Sequence, residues 1–414
     1  MEINKIYLGN NLDTLKTFED NSIDSIVTDP PYGLGKEPNT VDVLKSWLDT
    51  GYHEIKGKGF MGKEWDAFVP QPILWKECLR ILKPGGYLLS FAGTRTYDWV
   101  VMGLRIAGFE IRDQIAWVYG SGFPKSHNIG VAIDKINGVE SKVISSGRSG
   151  KSSHAFQSEE TTTAGDYEIK ESQNKWQGYG TALKPALEPI VMARKPLDGT
   201  VANNVLKHGV GGINIDGCRV GVTEADKYDL EQREITKGVK HDNLIQFTKT
   251  DGFDVKHGVL DKGRFPANFI HDGSEEVVKL FPNSEEDSPA RFFYTAKASQ
   301  SERNFGLSGF EDVKGGSYQF RQDGSLDGKI PSRKNIHPTV KPIDLMQYLV
   351  RLVTPKGGIC LDPYMGSGTT AIACKSEKIN YIGCEIDEDY LKIAEARIKA
   401  EIVQYDIFDF IEEK

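Results

Sequence analysis

The sequence is poor in cysteine and has no long apolar run. Its 414 residues include only 5 Cys (Cys78, Cys218, Cys360, Cys374 and Cys384), an odd number with no C-x-x-C pair. Such thiols read as small buried side chains of a reducing compartment, not as a disulfide framework or a zinc site, and no metal is expected. No stretch approaches the roughly 20 apolar residues that span a bilayer, which excludes a membrane helix and a membrane partner. The segment Met1–Leu15 reads as strand, turn and helix, without the basic-then-apolar order of a signal peptide, so a cytoplasmic location is expected. Excess positive charge is missing too: 51 Lys/Arg stand against 59 Asp/Glu, a net charge of -8. That argues against a protein that coats nucleic acid indiscriminately.

What is present describes a globular chain. Hydrophobic residues make up 39% and charged ones 27%, enough for a sizeable core. The length exceeds one ordinary compact domain. Three textures follow one another. Residues 1–124 alternate strands and helices: strand Ser22–Thr28, helix Pro72–Leu82, strand Tyr87–Phe91, helix Thr96–Ala107 and strand Phe109–Val118. Residues 125–334 lose that alternation, and Ser145–Gln157 and Gly315–Lys329 read as mobile. This middle carries 29 Lys/Arg against 30 Asp/Glu between Ser121 and Val340, so the acidity sits in the two ends. Residues 335–414 resume with helix Ile343–Val353, strand Gly358–Leu361, helix Gly368–Ser376, strand Tyr381–Glu385 and helix Glu388–Ala400. An isolated two-strand parallel unit cannot cover its own faces. The two ends are therefore expected to join into one doubly wound, Rossmann-like α/β sheet, with the middle as an insertion.

Two motifs carry chemistry. The first is the strand, glycine turn and helix start at Asp362-Pro-Tyr-Met-Gly366-Ser-Gly368-Thr-Thr370. Gly366 and Gly368 let a ligand approach the backbone, and amides at a helix start attract an anion. The next strand ends in Glu385, 23 residues after Asp362, where a carboxylate can hold ribose hydroxyls. The third glycine of G-x-G-x-x-G is absent, which favours S-adenosylmethionine over a dinucleotide. The second motif is Asp29-Pro30-Pro31-Tyr32. The two prolines remove two N–H donors, leaving a carboxylate and a carbonyl as neighbouring acceptors at a strand tip. Two acceptors suit an –NH2 group, and Tyr32 offers a flat face to a planar base.

The tetrad Asp29–Tyr32 resembles motif IV of the amino-group DNA methyltransferases. Asp362–Gly368 resembles their motif I, Tyr381–Glu385 their motif II and His337-Pro-Thr-Val-Lys-Pro342 their motif X. The catalytic motif preceding the cofactor motifs is the circularly permuted order of the β class. Phe60–Trp65 and Trp176–Asp216 are similar to adenine-specific, prophage-type DNA methylases. The resemblance implies base flipping, catalysis by Asp29, Pro30, Pro31 and Tyr32, and methyl transfer from S-adenosylmethionine to the N6 amine of adenine in double-stranded DNA, as in restriction–modification. It implies cofactor contacts from Asn10, Asp29, Thr339, Lys341, Asp362 and Tyr364. It implies others from the turn (Gly366, Ser367, Gly368, Thr369, Thr370) and from Glu385. Residues 1–124 and 335–414 then form the catalytic and cofactor halves of one domain. Residues 125–334 form the target-recognition region, and room remains for a homodimer. Family members usually have Phe at Tyr364 and Asp at Asn10; the ring and one acceptor oxygen are kept.

Alternatives stay open at this level. Cytosine N4 presents the same two donors, though Asp in the first position leans to adenine. A protein glutamine methyltransferase would carry its cofactor motif first, and a non-catalytic DNA-binding relic would not keep Asp29, Gly366 and Glu385. Lys341 reads either as a contact for the cofactor carboxylate or as a solvated residue. Gly57–Trp65 reads as a lid or a plain loop. Trp117, Tyr119 and Phe123 lie past a strand, and core packing is expected of Trp117.

Overall fold

The computed structural model describes residues 1–412 apart from 56, 58, 60–65, 121, 123–125, 149–165, 222–262, 282–287, 297–299 and 313–333. The expected mobile stretch 315–329, most of 145–157, Phe123 and the core of the Gly57–Trp65 loop lie outside the described residues. The strands in chain order are β1 (Lys5–Leu8), β2 (Ile23–Thr28), β3 (Leu82–Phe91), β4 (Glu110–Val118), β5 (Lys142–Arg148) and β6 (Asp166–Glu171). They continue with β7 (Leu187–Arg194), β8 (Phe269–His271), β9 (Tyr294–Thr295), β10 (Ile359–Asp362) and β11 (Asn380–Glu385). Nine form one sheet in the order β1-β11-β10-β2-β3-β7-β4-β8-β9, and β5 pairs with β6 alone.

Helices cover both faces. In β3, Tyr87, Leu89 and Phe91 pack with helices Ile343–Val353 and Thr369–Ser376, while Leu88 packs with helices Pro72–Ile81 and Tyr97–Ala107. Burial on both sides explains why β2 is buried at all six positions, including Asp24 and Ser25. Those two polar groups are satisfied. Asp24 accepts from Lys83 Nζ at 2.6 Å and from the Ile359 amide at 2.7 Å, and Ser25 shares a 2.7 Å bond with Thr354. Ile359 opens β10, so the late strand is tied to the early one at the sheet centre, with Cys360 opposite Ser25 and Leu361 opposite Ile26. The doubly wound α/β sheet is therefore built from both chain ends.

The middle segment departs from its expected separateness. Residues 187–194, inside the 125–334 stretch, form β7, which is antiparallel to β3 and β4 and lies between them. Its run Ile190–Arg194 is buried throughout, a core strand by burial although the surrounding text is loop-like. β8 and β9 extend the sheet beyond β4. Helix Val201–His208 then docks on β3 through the buried Asn204 side chain, which donates to the Pro84 and Val210 carbonyls at 2.8 and 2.7 Å. Trp117 is core, at 7% exposure. Among the described residues no helix is long and apolar enough to cross a membrane.

Candidate active site

In a parallel sheet, ligands collect where the strands end. Here β2, β10, β11 and β4 end at one edge, and the antiparallel β7 begins there. Asp29 follows β2, Asp362 closes β10, Glu385 closes β11, Tyr119 follows β4 and Glu188 is the second residue of β7. A cleft of about 720 Å³ runs along this edge, lined among others by Asn10, Asp29, Pro30, Pro31, Tyr32, Tyr119, Glu188, Thr339, Tyr364, Gly366 and Glu385. β2, β10 and β11 are successive neighbours, so the Asp29 and Glu385 tips stand two strand spacings apart, about 10 Å.

At one end of the cleft the glycine turn is held from beneath. Gly366 has φ +54°, and a Cβ there would come within 2.8 Å of His337 Nε2; Gly368 has φ +83° and packs as closely on Ala394. His337 stacks edge-on to Tyr390 at 4.6 Å, and burial pushes its pKa down to about 4, so the ring is neutral at pH 7. The Arg397 guanidinium is fully buried and donates to Ser367 O (2.6 Å), Ser367 Oγ (3.0 Å) and Thr369 Oγ1 (3.2 Å). Asp362 accepts from the Thr28 and Thr370 hydroxyls, both at 2.6 Å, and from the Tyr364 amide. Burial raises its pKa to about 6 in spite of those donors. Asp362, Ser367, Gly368, Thr369 and Thr370 thus shape the turn from behind and do not line the cleft. The Asn10 side-chain oxygen caps helix Asn11–Lys16 through the Asp13 amide.

Glu385 does face the cleft. Its Oε2 accepts from the Gly366 amide and its Oε1 from the Asp387 amide, both at 2.8 Å. The Gly366 amide is therefore committed to Glu385 and is not free for an anion. Burial lifts the carboxyl pKa to about 7, against the pull of these backbone donors. Each carboxylate oxygen keeps a second lone pair for a ligand hydroxyl. The acceptor-only carboxylate, the Cβ-free turn and the flat Tyr364 fit the nucleoside part of S-adenosylmethionine.

At the other end sits a buried charge cluster. Lys341, 7% exposed, donates to Asp29 Oδ2 at 2.6 Å and lies 3.2 Å from Glu188 Oε2. Burial alone would lower its pKa, but the two carboxylates more than offset this and raise it. Lys341 also lies over the Tyr32 and Phe91 rings, at 5.4 and 4.8 Å. The Tyr32 hydroxyl reaches Glu188 Oε2 at 2.7 Å and Asp29 Oδ1 at 2.9 Å, and the Tyr119 hydroxyl donates to Glu188 Oε1 at 3.2 Å. Lys341 is thus neither solvated nor aimed at the cofactor end; it binds the tetrad's own carboxylate. Sequence reasoning missed Glu188. Its signal was a lone Glu directly ahead of the apolar run Pro189–Ala193, readable only once that run is placed in the sheet. The other missed element is the short helix Gln300–Asn304. From it Arg303 donates to the His337 and Pro338 carbonyls at 2.6 and 3.1 Å.

A family model for DNA methylases of the N6/N4 type matches residues 23–396. The Type II methyltransferase M.HindIII of Haemophilus influenzae is 23% identical over 96% of this chain and 96% of its own length. The Type II methyltransferase M.HpaI of Haemophilus parainfluenzae is 31% identical over 32% of this chain and 37% of its own. Among solved structures, the cytosine-N4-specific PvuII DNA methyltransferase aligns over 96% of this chain and 86% of its own, at 13% identity and TM-score 0.43. The M1.HpyAVI–SAM complex aligns over 95% and 98%, at 14% identity and TM-score 0.38. With the family match spanning all but the two extremities, the chain belongs to the N6/N4 DNA methylases.

Proposed function

We propose that this methylase transfers a methyl group from S-adenosylmethionine to the exocyclic N6 amine of adenine in double-stranded DNA, with its motifs in the permuted β-class order. The observation that carries the reading is one cleft holding the Asp29–Tyr32 tetrad at one end and Glu385 with the glycine turn at the other. Bound S-adenosylmethionine supplies an electrophilic methyl group on a sulfonium sulfur. Glu385 holds ribose hydroxyls, and Asn10, Thr339 and Tyr364 line the same end. The adenine amine is a poor nucleophile because its lone pair is delocalised into the ring. Asp29 and the Pro30 carbonyl accept its two N–H groups, favouring a pyramidal nitrogen with a localised lone pair. A paired base cannot reach this floor, so it is extruded and stacks on Tyr32, at an unstacking cost of a few kcal/mol. Asp29 can take the proton that the alkylated amine sheds.

Asp29 in the first tetrad position supports adenine over cytosine. Residues 125–334, apart from β7 and the helix after it, are the proposed reader of DNA sequence. Supporting this are the β5–β6 pair outside the main sheet and the exposed Trp176 and Tyr179, with Lys175 5.4 Å from the Trp176 ring. The test is expression in a methylation-free host followed by sequencing for modified bases. N6-methyladenine at one recurrent sequence is expected, and N4-methylcytosine instead would refute the adenine assignment. Asp29→Ala should abolish the marks while cofactor affinity by calorimetry stays within a few-fold; marks at the wild-type level would refute the role of Asp29.

A further inference from the structure

Counting protons at the tetrad exposes a shortage. The Tyr32 hydroxyl is within hydrogen-bond distance of two carboxylates, at 2.7 Å from Glu188 Oε2 and 2.9 Å from Asp29 Oδ1, yet it carries one proton. Burial and the two negative charges hold that phenol protonated. If its proton points to Asp29, one Oδ1 lone pair is taken and the charge on that oxygen is partly neutralised, while Oδ2 already takes Lys341 at 2.6 Å. If it points to Glu188, Asp29 Oδ1 keeps both lone pairs and its full charge, and is the stronger acceptor for a donor from the cleft. Glu188 is the nearer acceptor, and its position is fixed by Tyr119 at 3.2 Å and Lys341 at 3.2 Å.

We infer that Glu188 is a positioning residue that draws the Tyr32 proton away from Asp29, keeping Asp29 Oδ1 a fully charged, strong acceptor for an N–H of the target amine. The inference rests on the reading that Asp29 accepts that amine. Glu188 itself needs no contact with the base. A target N–H then meets a carboxylate oxygen whose charge the phenol does not share. A neutral amide oxygen at position 188 competes poorly with the Asp29 carboxylate for the phenolic proton. Glu188→Gln therefore returns the proton to Asp29 and weakens Oδ1 as an acceptor for the amine.

The test compares wild type, Glu188→Gln, Tyr32→Phe and the double variant. Its substrate is a duplex bearing the sequence mapped from genomic DNA. Single-turnover methyl transfer should fall at least tenfold for Glu188→Gln, with KM for DNA changed less than threefold. In the Tyr32→Phe background, where there is no proton to allocate, Glu188→Gln should change the rate less than threefold. A second readout needs no cofactor: the preference for a target adenine over a target purine, which lacks the amine. Wild type should prefer adenine, Glu188→Gln should lose the preference, and Tyr32→Phe should keep it. Equal rate factors in both backgrounds overturn the inference. So does loss of the preference in Tyr32→Phe, which decides the matter even where Glu188→Gln fails to fold. These results with an inactive Asp29→Ala overturn this inference alone, whereas an active Asp29→Ala overturns the underlying reading as well.

Discussion

Cofactor affinity should depend on pH through Glu385, and the structure fixes both sign and size. The carboxyl is 8% exposed, and burial raises its pKa to about 7 from an ordinary value near 4.5. Its ionised form is the better partner for ribose hydroxyls, since bonds to a charged acceptor are worth about 1.5 to 3 kcal/mol. A ligand that prefers the ionised form binds best above the free-state pKa and loses affinity as pH falls through it. With the pKa at about 7, the ionised fraction at pH 6 is about one-tenth, so wild-type binding should weaken about tenfold between pH 8 and pH 6. Glu385→Gln should bind at least tenfold more weakly at pH 8 and show a flat profile over the same range. Glu385→Ala should bind more weakly still, because the Gly366 and Asp387 amides lose their acceptors and the turn loosens. Isothermal calorimetry at pH 6, 7 and 8 reads all three. A pH-independent wild type, or a Glu385→Ala variant with unchanged affinity, would show that this strand tip does not hold the ribose.

Two more expectations concern the frame around the site. Arg397→Met removes a buried guanidinium with three bonds into the glycine turn. It should cost about 3 kcal/mol or more in denaturant unfolding and weaken S-adenosylmethionine binding at least fivefold, and a folded variant with wild-type affinity would refute its role under the turn. Exchanging residues 127–181 and 221–334 for those of a related methylase of known specificity, while keeping 182–220, should transfer the methylated sequence. If sequencing finds the original sites still methylated, the reader lies elsewhere.

The parts of the site that could be read from sequence are contiguous in the chain. Asp29–Tyr32 and Asp362–Gly368 each sit directly after a buried strand, so local pattern alone puts them at a sheet edge. Glu385 was legible for the same reason. Lys341 was singled out too, but its partner was not: Asp29 is 312 residues away, and only the pairing of β10 with β2 brings them together. Glu188 failed differently. β7 runs antiparallel, so its beginning, not its end, meets the ends of its neighbours, and nothing local in Leu187–Arg194 gives that direction. Ser367 and Thr369 were expected at the cofactor and instead take Arg397, because a buried guanidinium needs acceptors and helix Glu388–Glu412 delivers it beneath the turn.

The junction of β2 with β10 has a consequence for how the molecule is made. Asp24 and the Ile359 amide, bonded across that junction, are 335 residues apart in sequence. Bringing such distant segments together carries a loop-closure cost that local contacts do not, and contacts of this range tend to form slowly. During synthesis β2 can pair with β3, but its other edge has no partner until β10 emerges with the last sixty residues or so. The nascent chain therefore carries an open strand edge, its backbone groups unpaired, through most of its translation, a site for unwanted pairing with other chains. Lys341 reaches Asp29 only after the same closure, so the catalytic floor is assembled in the final stage of folding.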